Sequence, residues 1–147
     1  MVPADDLDQI MQIMDAAFDP AFGEAWSRRQ VEDALLAGNC HYGLATAGDL
    51  CAGFYLARGG YGEAELLLLA VAPQHRRRGH ALRLLDQFEA AARARGAERL
   101  LLEVRDTNPA LALYRQFGFI PVGARKDYYK LADGLRADAI TFAKMLD

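Results

Sequence analysis

"LLLLAVAPQHRRRGHALRLL", Leu66 to Leu85, joins an apolar run to an amphipathic one through three consecutive arginines. The run from Glu63 to Val71 is continuous rather than alternating. That pattern predicts a strand covered on both faces, in the middle of a sheet. Pro73 ends it. From Gly79 to Arg95 the period becomes helical, with Leu82, Leu85, Phe88 and Ala92 on one stripe and Arg83, Asp86, Gln87 and Arg93 facing outward. Gly96 fits the residue just past a helix end. Arg99 to Arg105 reads as the next strand. A strand–helix–strand unit of this length implies a parallel pair with a right-handed crossover.

The arginine turn has two readings. One is a solvated basic turn. The other is an anion site: a helix starting near Gly79 leaves backbone N–H groups free, and its dipole favours negative charge. Gly79 removes a side chain where a ligand would approach the backbone. Arg76, Arg77 and Arg78 oppose the dipole and one another, so stability alone does not account for them. That conflict favours the anion. No Gly-Lys-Ser/Thr follows, so this is not a nucleotide-triphosphate loop.

Outward from this unit, Asp5 to Phe18 reads as a helix, with Leu7, Ile10, Met11, Met14 and Phe18 at helical spacing. Ser27 suits the N-cap of a second helix that Gly38-Asn39 ends. Strands follow at Tyr42–Thr46 and Cys51–Ala57, turning at Ala47-Gly48-Asp49. Asn108 caps a short helix with Pro109 at its first position; Leu111, Tyr114 and Phe117 share a side, and Gly118 stops it. Phe119–Ala124 is a strand, "RKDYYKLADGLRAD" (Arg125 to Asp138) a polar loop, and Ala139–Met145 the last strand. The expected architecture is one mixed α/β domain over 1–147: a mostly antiparallel sheet with one parallel pair near its middle, flanked by helices.

Composition sets limits. The 147 residues are 52% hydrophobic and 25% charged, with net charge −3. That supports a packed core and gives no general nucleic-acid or membrane-surface binder. Cys40 and Cys51 make no disulfide framework, and both are expected as buried thiols in a reducing compartment. The N-terminus shows no secretory pattern, and "LLLLAVA" is far too short to span a bilayer. A cytoplasmic location is expected. His41, His75 and His80 have no metal-ligand spacing, so no metal is expected.

Among candidate chemical groups, Glu103 stands in an apolar strand. It is either on a solvated face, paired with Arg105 two residues on, or a general base whose pKa is raised by partial desolvation. Tyr114 reads on periodicity as a core tyrosine. Tyr128 and Tyr129 are hairpin packing or a wall for a substrate. Trp26 is equally a staple for the second helix or part of such a wall.

"RRRGHA", Arg76 to Ala81, in this strand-to-helix context resembles the Arg/Gln-x-x-Gly-x-Gly/Ala signature of the GCN5-related N-acetyltransferases (GNAT). Position 81 is Ala rather than the commoner Gly, which the signature permits. "LLEVRDTNPALALYRQFGF", Leu101 to Phe119, is similar to the family's Glu-Val-Arg, Asn, Ala-Leu-Tyr and Gly-Phe segment, one residue shorter between Asn108 and Tyr114. "AWS" (Ala25 to Ser27) and "KDYYKLADGLRADAITFAKML" (Lys126 to Leu146) resemble the branch that acetylates the N-terminal alanine of a ribosomal protein. The likeness runs over nearly the whole chain and is strongest from Leu66 onward.

The resemblance implies acetyl-coenzyme A as cosubstrate, held in a V-shaped opening between the parallel strands. Its pantetheine would pair with the backbone of Leu69, Ala70 and Val71. Its pyrophosphate would take the N–H groups of Arg77, Arg78, Gly79, His80, Ala81 and Leu82 beside Arg76, with Asn108 reaching it from the other strand's end. Glu103 would be the base, and Tyr114 the acid at the departing thiolate or a group that orients the sulfur. The backbone N–H near Val71 would polarise the thioester carbonyl. Trp26, Tyr128 and Tyr129 would line the acceptor groove.

The reaction implied is direct attack of an amine on the thioester, with no covalent enzyme adduct. A peptide or protein N-terminal amine is the expected acceptor, possibly on a ribosomal protein. Its pKa of about 7.7–8.0 asks less of a base than about 10.4 for Lys. A small-molecule amine acetyltransferase and a non-catalytic coenzyme A sensor are the alternatives; the sensor would need Arg76–Ala81 but neither Glu103 nor Tyr114. A monomer or weak dimer is expected, without nucleic-acid or membrane partners.

Overall fold

One sheet has two apolar faces to cover, and the chain covers them with helices on both sides. The computed structural model describes residues 3–19, 24–131 and 133–147. In chain order the elements are α1 (Ala4–Ala17), α2 (Arg28–Leu36), β1 (Cys40–Ala47), β2 (Leu50–Gly60), β3 (Glu63–Val71), a 3-10 turn (Pro73–His75), α3 (His80–Ala94), β4 (Arg99–Arg105), α4 (Leu111–Phe117), β5 (Ile120–Lys130) and β6 (Arg136–Met145). The sheet order is β1-β2-β3-β4-β6-β5. Among the described residues only β3 and β4 run parallel; the other strand pairs are antiparallel.

The continuous apolar run of β3 has a structural reason. Its register against β2 shifts at Leu67, where Leu56 faces Leu68 but Ala57 faces Leu66. This bulge turns the strand over. Before it, Ala64 and Leu66 pack with Leu84, Leu85 and Phe88 of α3. After it, Leu68 and Ala70 pack with Leu7, Ile10 and Met14 of α1. Both faces of β3 are therefore covered, which accounts for its unbroken apolar run.

The parallel pairing lasts only from Glu63↔Arg99 to Leu66↔Leu102. Beyond Leu66, β3 runs on to Val71 and β4 to Arg105 without pairing, so the two strands part. β4 stays bonded to β6 along its whole length, from Arg99↔Met145 to Arg105↔Ala139. The edge of β3 that faces β4 is thus open from Leu67 onward.

Four expectations need correction. The loop expected over 125–138 is largely a hairpin: β5 runs to Lys130 and β6 starts at Arg136, closed by Leu131 N–H to Leu135 O at 2.9 Å. β5 is exposed on both faces almost throughout, so it carries no apolar pattern to read. Asn108 is not the cap: its Oδ1 accepts from Ala110 N–H at 2.8 Å in a turn ahead of the helix, which begins at Leu111 with Ala110 at its N-cap and Pro109 outside. The buried stripe of α3 is Leu84, Leu85, Phe88 and Ala92; Leu82 lies at its margin. Cys40 and Cys51 are half-buried, free thiols rather than fully buried ones, and desolvation pushes both thiols up.

Ser27 caps α2 as expected, through a complete capping box. Gln30 N–H donates to Ser27 Oγ at 3.2 Å, and Ser27 N–H donates to Gln30 Oε1 at 2.7 Å. His41 is a core residue, with Nδ1 at 3.0 Å from the Tyr55 hydroxyl and its ring stacked on Phe88. Burial, then the Arg95 charge, push its pKa down to about 4, so the ring is neutral.

Candidate active site

Where β3 and β4 part, a groove runs from the β5–β6 hairpin to the start of α3. Its first section, about 360 Å³, is lined by Glu24, Trp26, Leu69, Glu103, Asn108, Tyr114 and Tyr129 among others. A second, about 480 Å³, shares Glu24, Leu69, Asn108 and Tyr114 with it and passes Ala70 and Val71 to Arg76 and Ala81. A third, about 240 Å³, shares Val71, Arg76 and Ala81 with the second and reaches Arg77, Gly79, His80 and Leu82. The structure therefore brings nearly all the sequence-selected residues onto one groove. Arg78 and Tyr128 are the exceptions: neither lines a section, and both are exposed.

The turn at the far end is built by backbone. Arg77 (φ 63) and Gly79 (φ 84) are both left-handed. Gly79 is the N-cap of α3 and gives it no side-chain cap, so the first N–H groups of α3 are not used by their own cap. A Cβ on Gly79 would meet nothing within 4 Å. The requirement for glycine is conformational here, not spatial. Arg76 lines the groove and also braces the backbone. Its Nε donates to Val71 O at 3.3 Å and its Nη2 to Ala17 O at 3.2 Å. It ties the turn to the end of β3 and to a terminal carbonyl of α1, where a cation suits the dipole. His75 and His80 lie buried beneath the turn, ring edge to ring face at 6.1 Å. Burial, then Arg83, His75 and Arg78, lower the His80 pKa and keep it neutral. Among the described residues no three His, Cys, Asp or Glu side chains are grouped to hold a metal.

At the near end, Glu103 does not pair with Arg105. Its Oε2 lies 3.3 Å from Nε of Arg125 and accepts from Thr141 Oγ1 at 3.5 Å. Thr141 is its register partner on β6. Arg105 is taken instead by Glu24, Nη2 to Oε1 at 3.2 Å, and its Nη1 donates to Thr107 Oγ1 at 2.6 Å. The guanidinium is buried, whereas the Glu24 side chain stays 22% exposed. Glu103 is equally exposed, at 22%.

Tyr114 is buried, with its ring edge on Phe119. Burial, then the charge of Glu24, push its hydroxyl far above the ordinary range, so it is a proton donor at neutral pH. Tyr129 is half-buried; desolvation, then Glu103, then Glu24 raise it. The tyrosine pair divides: Tyr129 lines the groove, while Tyr128 packs edge-on against it and lies 4.8 Å beneath the Arg125 guanidinium. Trp26 packs on the cluster that α1, α2 and the sheet share and also lines the first section. Sequence reasoning missed Glu24 and Arg125, and of its two readings of Glu103 the pairing with Arg105 is not the one formed. Acids do stand near Arg105 in sequence, at Glu103 and Asp106, so nothing local pointed to the distant Glu24.

A model of the Acetyltransferase (GNAT) family matches residues 7–119. The chain belongs to that family. The [ribosomal protein bS18]-alanine N-acetyltransferase of Haemophilus ducreyi is 41% identical over 85 residues, 57% of this chain and 59% of that protein. Its counterpart in Salmonella typhimurium is 39% identical over 99 residues, 67% of this chain and 66% of that protein. The matched stretch thus spans about three fifths to two thirds of these relatives' length. The crystal structure of the ribosomal-protein-S18-alanine N-acetyltransferase of Escherichia coli superposes with TM-score 0.87 at 31% identity, over 99% of this chain and 91% of that one. The GNAT match ends at Phe119, so Arg125 and Tyr129 lie beyond it; the structural likeness extends over them. No helix among the described residues of this GNAT chain is long and apolar enough to cross a membrane.

Proposed function

We propose that residues 1–147 form one N-acetyltransferase domain that moves an acetyl group from acetyl-coenzyme A to the N-terminal α-amine of a peptide or protein. The observation that carries this reading is the parting of β3 and β4 beyond Leu66, with Glu103 and Tyr114 on the same cavity. The residues present suit the cosubstrate. The open edge of β3 at Leu69, Ala70 and Val71 offers backbone groups to an extended pantetheine. The uncapped start of α3 offers N–H groups to a pyrophosphate. Asn108 lines the groove from the far side. Bound there, acetyl-coenzyme A supplies the thioester carbon that an amine attacks.

The chain's own groups divide the remaining work. Glu103, held by Arg125 and Thr141, takes a proton from the acceptor nitrogen. Tyr114, kept protonated by burial, donates toward the departing sulfur. Trp26 and Tyr129 wall the acceptor. An α-amine suits this arrangement because its pKa, about 7.7–8.0, leaves little proton abstraction to a carboxylate, whereas Lys at about 10.4 demands far more. The names of the curated relatives point the same way and suggest a ribosomal protein as the acceptor.

The test is a competition between a peptide that begins with a free Ala and an N-blocked peptide that carries Lys. Acetylation of the free α-amine is expected. Preference for the blocked peptide rejects the α-amine, and transfer to neither, with acetyl-coenzyme A still bound, favours the sensor.

A further inference from the structure

The segment between α1 and α2 brings a second carboxylate to the groove. Glu24 lines both the acceptor section and the section along the end of β3, so it stands at their junction. Its Oε1 is fixed by Arg105, 81 residues away, whose side chain is 5% exposed. A buried ion pair is a weak source of stability, because desolvation offsets most of its attraction. The pair has another consequence: it pins a carboxylate to the wall of a cavity while leaving it open to solvent. One oxygen faces Arg105, and a carboxylate has roughly four lone-pair sites, so acceptor capacity remains. The neighbours locate it further. The charge of Glu24 bears on both Tyr114 and Tyr129, whereas Glu103 bears on Tyr129. Glu24 thus shares one cavity with both Tyr114 and Tyr129.

Two carboxylates on one cavity exceed what a single proton abstraction needs. An α-amine of pKa about 7.7–8.0 arrives at neutral pH mostly as an ammonium. Three N–H donors entering a part-desolvated cavity need an acceptor before one proton leaves. We propose that Glu24, held in place by Arg105, receives and orients the acceptor's ammonium group in advance of proton transfer to Glu103. One N–H bond then breaks toward the Glu103 carboxylate. The freed electron pair becomes the nucleophile, and Glu24 keeps hold of a remaining N–H. Glu24 is accordingly a determinant of specificity for cationic acceptors. This inference rests on the acetyl-transfer reading above. Among the described residues, the charged and titratable groups on the two sections that Glu24 lines are Glu103 and Arg105 of β4, Tyr129 of β5, Tyr114 of α4, Asp19 and Arg76, with Arg125 of β5 on Glu103.

The experiment uses the full chain, a peptide beginning with Ala, and the variants Glu24→Gln and Glu24→Asp, with Arg105→Lys as a milder way to loosen the same pair. A charge-assisted hydrogen bond lost from acceptor binding predicts a rise of about ten- to a hundredfold in acceptor KM for Glu24→Gln. Acetyl-coenzyme A affinity, measured by calorimetry, stays within about twofold, and Glu24→Asp recovers part of the loss. The deciding readout is pH. From pH 7 to pH 9 the acceptor becomes neutral, so the gap in kcat/KM between Glu24→Gln and the parent enzyme narrows. A gap that stays constant with pH, an unchanged acceptor KM, or an equal fall in acetyl-coenzyme A affinity overturns the assignment. If the parent chain acetylates no amine, the underlying reading fails and this one with it. If the parent is active and Glu24→Gln matches it, only this inference fails.

Discussion

The two ends of the groove are built by different means. At the α3 end the site is backbone: a left-handed Gly79, an uncapped helix start and an open strand edge, all within the stretch Leu67 to Leu82. At the acceptor end it is side chains from distant elements: Glu24 ahead of α2, Glu103 on β4, Tyr114 on α4, Arg125 and Tyr129 on β5. A backbone site depends on one conformation and tolerates varied side chains. A side-chain site depends on pairs such as Glu24–Arg105 and Glu103–Arg125 that only the folded sheet brings together.

The sharpest way to break this contrast is at Gly79. Gly79→Asp forces a side chain into φ 84 and sets a carboxylate beside the N–H groups that the proposed function assigns to a pyrophosphate. Acetyl-coenzyme A affinity should fall more than about a thousandfold, as read by calorimetry. Gly79→Ala is the companion. The Cβ has open space around it, so the cost is conformational, about 1–2 kcal/mol. If Ala is as damaging as Asp, the turn is limited by conformation alone and the anion reading of it fails.

This same contrast explains what the sequence disclosed. The arginine turn was legible because its determinants are contiguous: a proline stop, a glycine and an amphipathic helix. The parallel pair followed from that unit, and the doubly covered β3 from its unbroken apolar run. The β5–β6 hairpin was not legible, because β5 shows solvent on both faces and its pattern is set by hydrogen bonding to β6 rather than by burial. The partner of Arg105 was not legible either. Nothing local marks Glu24, and the nearer acid, Glu103, had already found Arg125. Arg76 was legible only as a charge of the turn; its hydrogen bonds to Val71 and Ala17 make it a brace for the backbone.

Glu103→Gln comes next in size. It keeps the shape of the side chain but removes the proton acceptor, so turnover should fall about a hundredfold or more. Because Glu103 belongs to the side-chain end, acetyl-coenzyme A affinity should hold. Equal losses in both would mean that the ends are not separable and would sink the base assignment. Tyr129→Ala then probes the wall without touching the proton path. Its ring is half-buried beside the cavity, and losing it should raise acceptor KM about tenfold, with little change in cosubstrate affinity. The exposed Tyr128→Ala serves as the control, and a larger effect there would reverse the division drawn between the two rings.

The smallest effect tests whether the acceptor end is held by its own foundations. Ser27 closes the capping box of α2, one residue after Trp26 and three after Glu24. Ser27→Ala removes the side-chain acceptor for Gln30 N–H and should destabilise the chain by about 1 kcal/mol. For a chain of this size that lowers the melting temperature by about 2–4 °C. The functional consequence should be lopsided. Loosening the first turn of α2 frees the segment that carries Glu24 and Trp26, so acceptor KM should rise a few-fold. The α3 turn is braced separately, by Arg76 on Val71 and Ala17, and acetyl-coenzyme A affinity should not move. A parallel drift of both constants with melting temperature would show that the two ends share one cooperative scaffold rather than two.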